Sequence, residues 1–137
     1  MKEKLRVVSI FGTRPEAVKM APVVQALAAE SGIESKVVVT AQHREMLDQV
    51  LDLFGISPDL DLDLMRPNQN LAQLTADIFS NLDPVLADLG PDWLLVQGDT
   101  TTVMAAAVLG YYRRIRVGHV EAGLRTGDRW QPFPEEI

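Results

Sequence analysis

Hydrophobic residues along this chain alternate between short runs of strand length and longer runs with helical spacing. The first run, residues 5–10, is rich in β-branched residues and predicts a buried strand that Gly12 ends. Apolar residues then recur at helical spacing to about Glu30; Thr13 can cap this helix and Pro15 suits its first turn. The chain therefore opens with a strand, a tight loop and a helix.

The same alternation continues through most of the chain. We predict further strands and helices in this order: strand 36–40, helix 44–54, strand 59–64, helix 71–89, strand 93–96, a loop over 97–102, a helix from there to about 112 and strand 116–120. Gly55 is expected to end the second helix, Asn70 to cap the third, and Pro22 and Pro84 to bend their helices. Strands that alternate with helices predict an α/β fold, a Rossmann-like parallel sheet with right-handed crossovers and helices on both faces, formed by residues 1–137 as a single domain.

Composition and charge narrow the class of protein. The chain has 137 residues, 47% of them hydrophobic and 23% charged, which suits one soluble globular domain. A net charge of −6 argues against nucleic acid or an anionic membrane as the main partner, but it permits a phosphorylated small molecule, which needs only local positive charge. The absence of cysteine excludes disulfides and sulfur-ligated metals and suits the cytoplasm.

No targeting or metal-binding pattern stands out. The apolar run that follows Lys2, Lys4 and Arg6 is too short for a signal peptide or a membrane span, so we expect neither. Histidine and carboxylate residues do not recur at ligand spacing on any one predicted element, so no metal site is predicted.

Polar clusters follow four of the predicted strands, at residues 12–16, 42–44, 98–102 and 121–125. Ligands of parallel α/β sheets bind outside the carboxyl ends of the strands, so the clusters are expected to converge. Arg14 of the first cluster and Lys19, three residues beyond it, bracket a helix start, where free N–H groups and the helix dipole favour an anion. This pattern predicts a phosphate-binding strand-loop-helix unit, although an ordinary turn with solvated charges explains the two cations equally well.

The middle clusters have structural as well as functional explanations. Gln42 and His43 lie at a helix entry and offer a proton carrier, but a capped helix with a surface histidine is the favoured interpretation from physics alone. Asp99 precedes an apolar helix, so it either caps that helix or meets a ligand. His119 alternates with valines in a strand and is typical of a core histidine with satisfied hydrogen bonds.

Glu121 is the residue that sequence physics singles out. A carboxylate that ends a buried strand is costly to desolvate without a partner, and Arg125 is available for a structural ion pair. Glu135 and Glu136, after two prolines, are typical of a solvated acidic end. Loop cations together with at least two partly buried carboxylates suit proton transfer on an anionic substrate, with one carboxylate held as the acid and another kept ionised as the base.

Five segments carry a resemblance to a known family: FGTRPEAVKMAP at residues 11–22, TAQHREMLDQVL at 40–51, QGDTTT at 97–102, GHVEAGLRTGD at 118–128 and PFPEE at 132–136. In this order they resemble the N-terminal half of bacterial non-hydrolysing UDP-N-acetylglucosamine 2-epimerases. The resemblance implies the N-terminal domain of a two-domain GT-B architecture, with the active site between the domains. It also implies that the C-terminal nucleotide-binding domain, with most of the uridine pocket, is absent from these 137 residues and that they are inactive alone.

The family interconverts UDP-GlcNAc and UDP-ManNAc for cell-surface polysaccharide synthesis. The implied mechanism eliminates UDP across C1–C2, holds the 2-acetamidoglucal in a closed cleft, and re-adds UDP with C2 inverted. No redox cofactor or obligatory metal is implied, and the full-length enzymes tend to be homodimers. Asp99, Glu121 and Glu135 match the family's catalytic carboxylates, with acid and base unassigned, while Arg14 and Lys19 match positions at the charged end of the nucleotide sugar.

The resemblance leaves regulation open. Gln42 and His43 lie in the motif that, in some members, contacts a second UDP-GlcNAc bound as an activator. Asn68 stands where activator-dependent members have an arginine just before Gln69, so allosteric activation is not implied here. Two other interpretations remain: the N-terminal domain of a hydrolysing epimerase or of a related GT-B glycosyltransferase, and a non-catalytic nucleotide-sugar-binding domain.

Overall fold

The computed structural model describes residues 4–40, 44–121 and 127–131. Five strands form one sheet, in which all neighbouring pairs are parallel: β1 (Leu5–Phe11), β2 (Ile33–Val39), β3 (Leu60–Asp61), β4 (Trp93–Gln97) and β5 (Arg116–Val120). Four helices connect them in chain order: α1 (Arg14–Ala29), α2 (Arg44–Leu53), α3 (Leu71–Leu89) and α4 (Thr101–Tyr112). The sheet order β3-β2-β1-β4-β5 confirms the predicted α/β, Rossmann-like fold.

Two hydrophobic cores, one on each face of the sheet, hold these layers together. On one face, Phe11 and Val39 of the sheet pack with residues of α1 and α2, among them Met20 and Leu47. The core on the other face joins strand residues to α3 and α4, and its buried members are Val8, Ile10, Val38, Leu64, Ile78, Leu82, Leu86, Leu94, Val96, Val103, Ala105, Ala106 and Leu109. Burial on both faces explains why β1 and the end of β2 are nearly continuous apolar runs.

Most predicted element boundaries are confirmed to within one residue. The predicted start of β2 is wrong by three residues, since the strand begins at Ile33, and α4 begins at Thr101, inside the predicted loop. Asn70 caps α3 through a capping box with Gln73, and Gly55 follows α2 with a φ of 66°. The strand predicted over residues 59–64 is wrong in length, because regular strand is confined to Leu60 and Asp61. The N–H groups of Leu62 and Leu64 still donate to the carbonyl oxygens of Val39 and Thr40. Asp63 has a φ of 49°, a left-handed conformation that no strand tolerates.

The interior prolines do not interrupt their helices. Pro22 lies within the 16 residues of α1 and Pro84 within the 19 residues of α3, and each helix continues through its proline as one element. Among the helices that the structure describes, none has the length and apolar character needed to cross a membrane.

α4 approaches the sheet closely at Gly110. A Cβ atom added there would lie 2.7 Å from Cγ2 of Val117 and 3.2 Å from Cδ1 of Leu94, so only glycine fits this crossing without rearrangement. The alanines of α4 belong to the same face, since Ala105 and Ala106 are fully buried against the sheet.

The order of the strands reverses at β1: β2 and β3 lie on one side of it, and β4 and β5 lie on the other. β1 pairs with β2 on one side and with β4 on the other. β1 ends at Phe11 and β4 begins 82 residues later, at Trp93. In an open parallel sheet this switch point leaves a crevice between the loops at the carboxyl ends of the two strands. The loops in question are residues 12–13 after β1 and residues 98–100 after β4.

Candidate functional site

A hollow of about 180 Å³ lies at this switch point, on the carboxyl edge of the sheet. Its lining comes from the starts of α1 and α4 and from the ends of β4 and β5: Thr13, Pro15, Glu16, Lys19, Gln97, Gly98, Asp99, Thr100 and Glu121. The structure thus brings together Lys19, Asp99 and Glu121, which were predicted from separate clusters. Gln42, His43 and Glu135 lie outside the described residues, so their predicted roles stay predictions.

The first loop enters α1 with an unusual side-chain arrangement. Thr13 occupies the N-cap position in an extended conformation, but its side chain makes no capping hydrogen bond, so the predicted side-chain cap is wrong. Its hydroxyl instead donates to Oε1 of Glu16 at 2.8 Å. Glu16 is the third residue of the helix and, at 2% exposed, is a fully buried carboxyl group.

Glu16 has the most strongly perturbed acidity in the site. Burial raises the pKa of this carboxyl from 4.5 to about 7, and the negative charge of Asp99 adds a smaller rise. The hydroxyls of Thr13 and Thr100 and the Gly12 backbone act in the opposite direction without cancelling the effect of burial. A group with this pKa exists in both charge states near neutral pH.

Glu121 connects the end of β5 to the other side of the hollow. Its Oε2 atom accepts hydrogen bonds from Nζ of Lys19 and from Nε2 of Gln97. Glu121 also has a φ of 59°, a left-handed conformation that is uncommon outside glycine. The structural alternative for Glu121, an ion pair with Arg125, concerns a residue outside the described ranges, and Lys19 is its partner here.

The burial predicted for Glu121 is wrong. Its side chain is 40% exposed, because β5 lies at the edge of the sheet and its residues are only partly covered. The buried carboxyl, which loses its hydration, is that of Glu16, which follows the central strand β1.

Asp99 does not cap α4, although its position before that helix allowed this role. The residue that caps α4 is Thr100, whose side chain accepts from the backbone N–H of Val103 at 3.4 Å. The capping interpretation of Asp99 is therefore wrong, and its partly exposed side chain lines the hollow. His119 is the satisfied histidine that was predicted, since its Nε2 atom is 2.7 Å from the carbonyl oxygen of Gly98.

The charges around the hollow suit an anionic ligand that also needs carboxylates. Lys19 and the N-termini of α1 and α4 supply positive potential, while Asp99 and Glu121 supply the carboxylates. Arg14, the first residue of α1, is exposed and makes no ion pair with any residue in the described ranges. An arrangement of this kind is able to hold a phosphate group beside a C–H bond that a carboxylate deprotonates.

Sequence reasoning missed two residues of the hollow. Gln97 is 2% exposed and holds Glu121 in place. Glu16 was available from the helical pattern, because it precedes Ala17 and lies four residues before Met20, both of which are fully buried. A carboxyl on the apolar stripe of an amphipathic helix is the signal that marks such a residue.

A larger hollow, of about 760 Å³, lies at the opposite edge of the sheet. It is lined by residues at the amino ends of β1 and β2 and at the end of α1: Lys4, Leu5, Glu30, Ser31, Gly32, Ile33 and Asp92. The charged residues of this lining are Lys4, Glu30 and Asp92, and the lining includes no helix N-terminus. The electrostatic potential of this hollow therefore does not favour an anion. The smaller hollow at the carboxyl edge is the better candidate.

Comparison with known sequences points to one family. The profile described as UDP-N-acetylglucosamine 2-epimerase matches residues 25–137. A UDP-N-acetylglucosamine 2-epimerase of Yersinia pestis is 61% identical over 132 residues, which are 96% of this chain and 35% of the relative. The relative from Escherichia coli K12 is 59% identical with the same two coverages. The chain therefore spans about a third of the length of the relatives it matches.

Solved structures agree with the sequence comparison. The crystal structure of a UDP-GlcNAc 2-epimerase from Neisseria meningitidis bound to UDP-GlcNAc superposes with a TM-score of 0.90 at 56% identity, over 96% of this chain and 36% of that one. A Methanocaldococcus jannaschii UDP-GlcNAc 2-epimerase in complex with UDP-GlcNAc and UDP gives a TM-score of 0.88 at 31% identity.

Proposed function

Because the chain belongs to the UDP-N-acetylglucosamine 2-epimerase family, we propose that it forms one half of the site that interconverts UDP-GlcNAc and UDP-ManNAc. The observation that carries this proposal is the convergence of Lys19, Asp99 and Glu121 on one hollow at the switch point of the sheet. The whole activity is a proposal, since the chain spans about a third of its relatives. The other half of the site would come from the part of the protein that the relatives have beyond this match.

The proposed reaction is an elimination followed by a re-addition. A carboxylate removes the proton from C2 of the sugar, the C2–H electron pair forms the C1=C2 double bond, and the C1–O bond breaks with its electrons leaving on UDP. Re-addition returns a proton to the opposite face of C2 while a UDP oxygen attacks C1. Direct deprotonation without a leaving group is too difficult, because C2 has no adjacent carbonyl to stabilise the carbanion.

Each proposed group has a distinct task. Asp99, Glu121 and Glu135 are the proposed proton-transfer carboxylates, and the exposure of Glu121 leaves its second oxygen accessible to a ligand. Lys19 and Arg14 at the start of α1 are proposed to stabilise the charge that develops on the departing pyrophosphate. Lys19 is also the ion-pair partner of Glu121, so a bound phosphate would compete for the lysine and release the carboxylate for chemistry.

The proposal extends to the cellular location, the oligomeric state and two further substrate contacts. A cytoplasmic enzyme that supplies cell-surface polysaccharide synthesis is proposed, and a homodimer of the full-length protein is proposed with it. Gln42 and His43 are proposed to contact the substrate from the entry of α2.

A chimera tests the function directly. Residues 1–137 would replace the aligned part of the Escherichia coli relative, to which they are 59% identical. With UDP-GlcNAc in deuterated water, we expect UDP-ManNAc and deuterium at C2 of both sugars, with both signals lost in Asp99→Asn and Glu121→Gln. Free ManNAc as the product would support the hydrolysing alternative. A folded chimera that binds UDP-GlcNAc without exchange at C2 would support a non-catalytic binding domain.

A further inference from the structure

Glu16 is a buried carboxyl group at the hollow to which the proposed reaction assigns no task. Its side chain is 2% exposed, and it lines the hollow together with Lys19 of its own helix and Asp99 of the loop after β4. Full burial of a carboxyl beside a second carboxylate is costly, so a neutral and an ionised Glu16 differ strongly in free energy. A group of this kind at a binding hollow needs an explanation.

The two oxygens of Glu16 have different surroundings. Oε1 accepts the hydroxyl proton of Thr13 at 2.8 Å, which ties the carboxyl to the loop after β1. Oε2 is fully enclosed and has no hydrogen-bond partner of normal geometry among the residues that the structure describes. On the other side, Thr100 and Asp99 of the loop after β4 are close enough to influence its ionisation in opposite directions. Glu16 therefore lies between the two loops that form the hollow.

The charge of Glu16 acts on whatever binds there. Glu16 is the third residue of α1, and a negative charge within the first turn offsets the positive end of the helix. The charged groups that line the hollow with it are Lys19, Asp99 and Glu121, so one more negative charge leaves the lining with three carboxylates and one lysine. A neutral Glu16 keeps the hollow receptive to a phosphate, and an ionised Glu16 opposes it.

We propose that Glu16, enclosed at the hollow and held by Thr13, is a positioning residue whose neutral form permits the binding of a nucleotide sugar's pyrophosphate in the hollow and whose ionisation weakens it. Glu16 acts through the helix end, Lys19 and Asp99, and it does not touch the reacting atoms. The inference rests on the proposed function in taking UDP-GlcNAc as the ligand. It goes further in making one buried proton a condition for tight binding.

The test uses the chimera in which residues 1–137 replace the aligned part of the Escherichia coli relative, because that protein supplies the other half of the proposed site, and UDP-GlcNAc is the probe. Each phosphate of UDP-GlcNAc has one ester and one anhydride bond and therefore no second ionisation, so the charge of the ligand stays constant between about pH 6 and about pH 8. Calorimetry would give the dissociation constant at both pH values for the wild type, for Glu16→Gln and for Glu30→Gln. Glutamine keeps the Oε1 acceptor for Thr13 and cannot ionise, while Glu30→Gln removes an equal charge at the exposed far end of α1. A comparison between variants cancels the contribution of titrating groups that do not interact with Glu16.

The wild type and Glu30→Gln are expected to bind UDP-GlcNAc roughly three- to tenfold more weakly at the higher pH, and Glu16→Gln is expected to lack this decrease. A second measurement needs no variant. Carbon-13 NMR of the Glu16 carboxyl is expected to show a titration near pH 7 that moves to higher pH when UDP-GlcNAc is saturating, because binding and protonation are linked reciprocally.

The outcomes separate this inference from the proposed function. Binding whose pH dependence is the same in Glu16→Gln and wild type, or a Glu16 titration that saturating UDP-GlcNAc does not move, would overturn this inference alone. An absence of UDP-GlcNAc binding to the wild type at every pH would overturn the proposed function and this inference together.

Discussion

Lys19 and Glu121 are 102 residues apart in the chain and form an ion pair across the carboxyl edge of the sheet. The pair joins the first helix, α1, to the end of the last strand, β5, and Asp99 lies in the loop between them. Both side chains remain about half exposed, at 49% and 40%. The pair is therefore a poor source of stability but is well placed to exchange one partner for a bound phosphate.

Replacement of Lys19 separates these two roles. We expect Lys19→Met to weaken UDP-GlcNAc binding by about tenfold to a hundredfold, because a charged hydrogen-bond donor to the pyrophosphate is lost. The free energy of unfolding should change by less than about 1 kcal/mol, since exposed ion pairs contribute little. Lys36→Met is the matched control, because Lys36 belongs to β2 and faces Glu34 and Asp59. Equal binding by Lys19→Met and wild type would contradict the assignment.

The raised pKa of Glu16 predicts how stability depends on pH. In the folded chain Glu16 keeps its proton up to about pH 7, whereas in the unfolded chain it loses the proton near 4.5. Between these values the folded state binds more protons, so the free energy of unfolding falls as the pH rises and levels off above about pH 7. The total loss attributable to Glu16 is about 3 kcal/mol.

Glu16→Gln tests that pH dependence, because glutamine has no proton to lose. Urea unfolding of both proteins between about pH 4.5 and about pH 8 should show the decline in the wild type and a shallower one in the variant. The same slope in both would mean that another group causes the decline.

The close crossing at Gly110 predicts a compensating pair of substitutions. Gly110→Ala should destabilise the protein by about 1–3 kcal/mol, because the new methyl group would lie 2.7 Å from Cγ2 of Val117. Val117→Ala removes that methyl group, so Gly110→Ala should cost less in this background and be offset further by the better helix propensity of alanine. A double-mutant cycle measured by thermal unfolding gives the coupling, and additive effects would contradict the contact.

The capping box of α3 makes a local prediction. Asn70 accepts from the backbone N–H of Gln73 at 2.8 Å, and the Gln73 side chain accepts from the backbone N–H of Asn70 at 3.2 Å. We expect Asn70→Ala to lower the free energy of unfolding by about 1 kcal/mol and Asn70→Asp to retain most of it. Chemical denaturation of the three proteins measures both. If alanine and aspartate had the same effect, the loss would have a cause other than the cap.

Most helices and strands of the fold were predictable, because interactions between residues close in the chain determine where they begin and end. The apolar strand β1, the cap at Asn70 and the left-handed glycine at position 55 all act within a few residues of chain, and each was predictable. β3 is shorter than the alternation in residues 59–64 predicts, because Asp63 has a left-handed φ and only Leu60 and Asp61 keep regular strand geometry. Pairing depends on the neighbouring strand, which sequence pattern does not show.

The sequence predicted which residues form the site, but only partly which of them are buried. The rule that ligands bind at the carboxyl ends of parallel strands brought Lys19, Asp99 and Glu121 together before any coordinates. Burial was assigned to the wrong carboxyl, since Glu121 ends an edge strand and Glu16 follows the central one. Sheet order is a tertiary property, so no local signal distinguishes an edge strand from a central strand of similar composition.

The most direct test of the account is to map where UDP-GlcNAc binds on this chain. Titration of the nitrogen-15-labelled chimera, in which residues 1–137 are joined to the rest of the Escherichia coli relative, should shift the backbone amide signals of residues 12–19, 97–101 and 119–121. The shifts should be saturable and concerted, because these residues surround the hollow at the carboxyl edge. Shifts confined to the opposite edge, around Lys4 and Gly32, would contradict the assignment of the site. No shift at any concentration would contradict the proposal that this chain forms half of a nucleotide-sugar site.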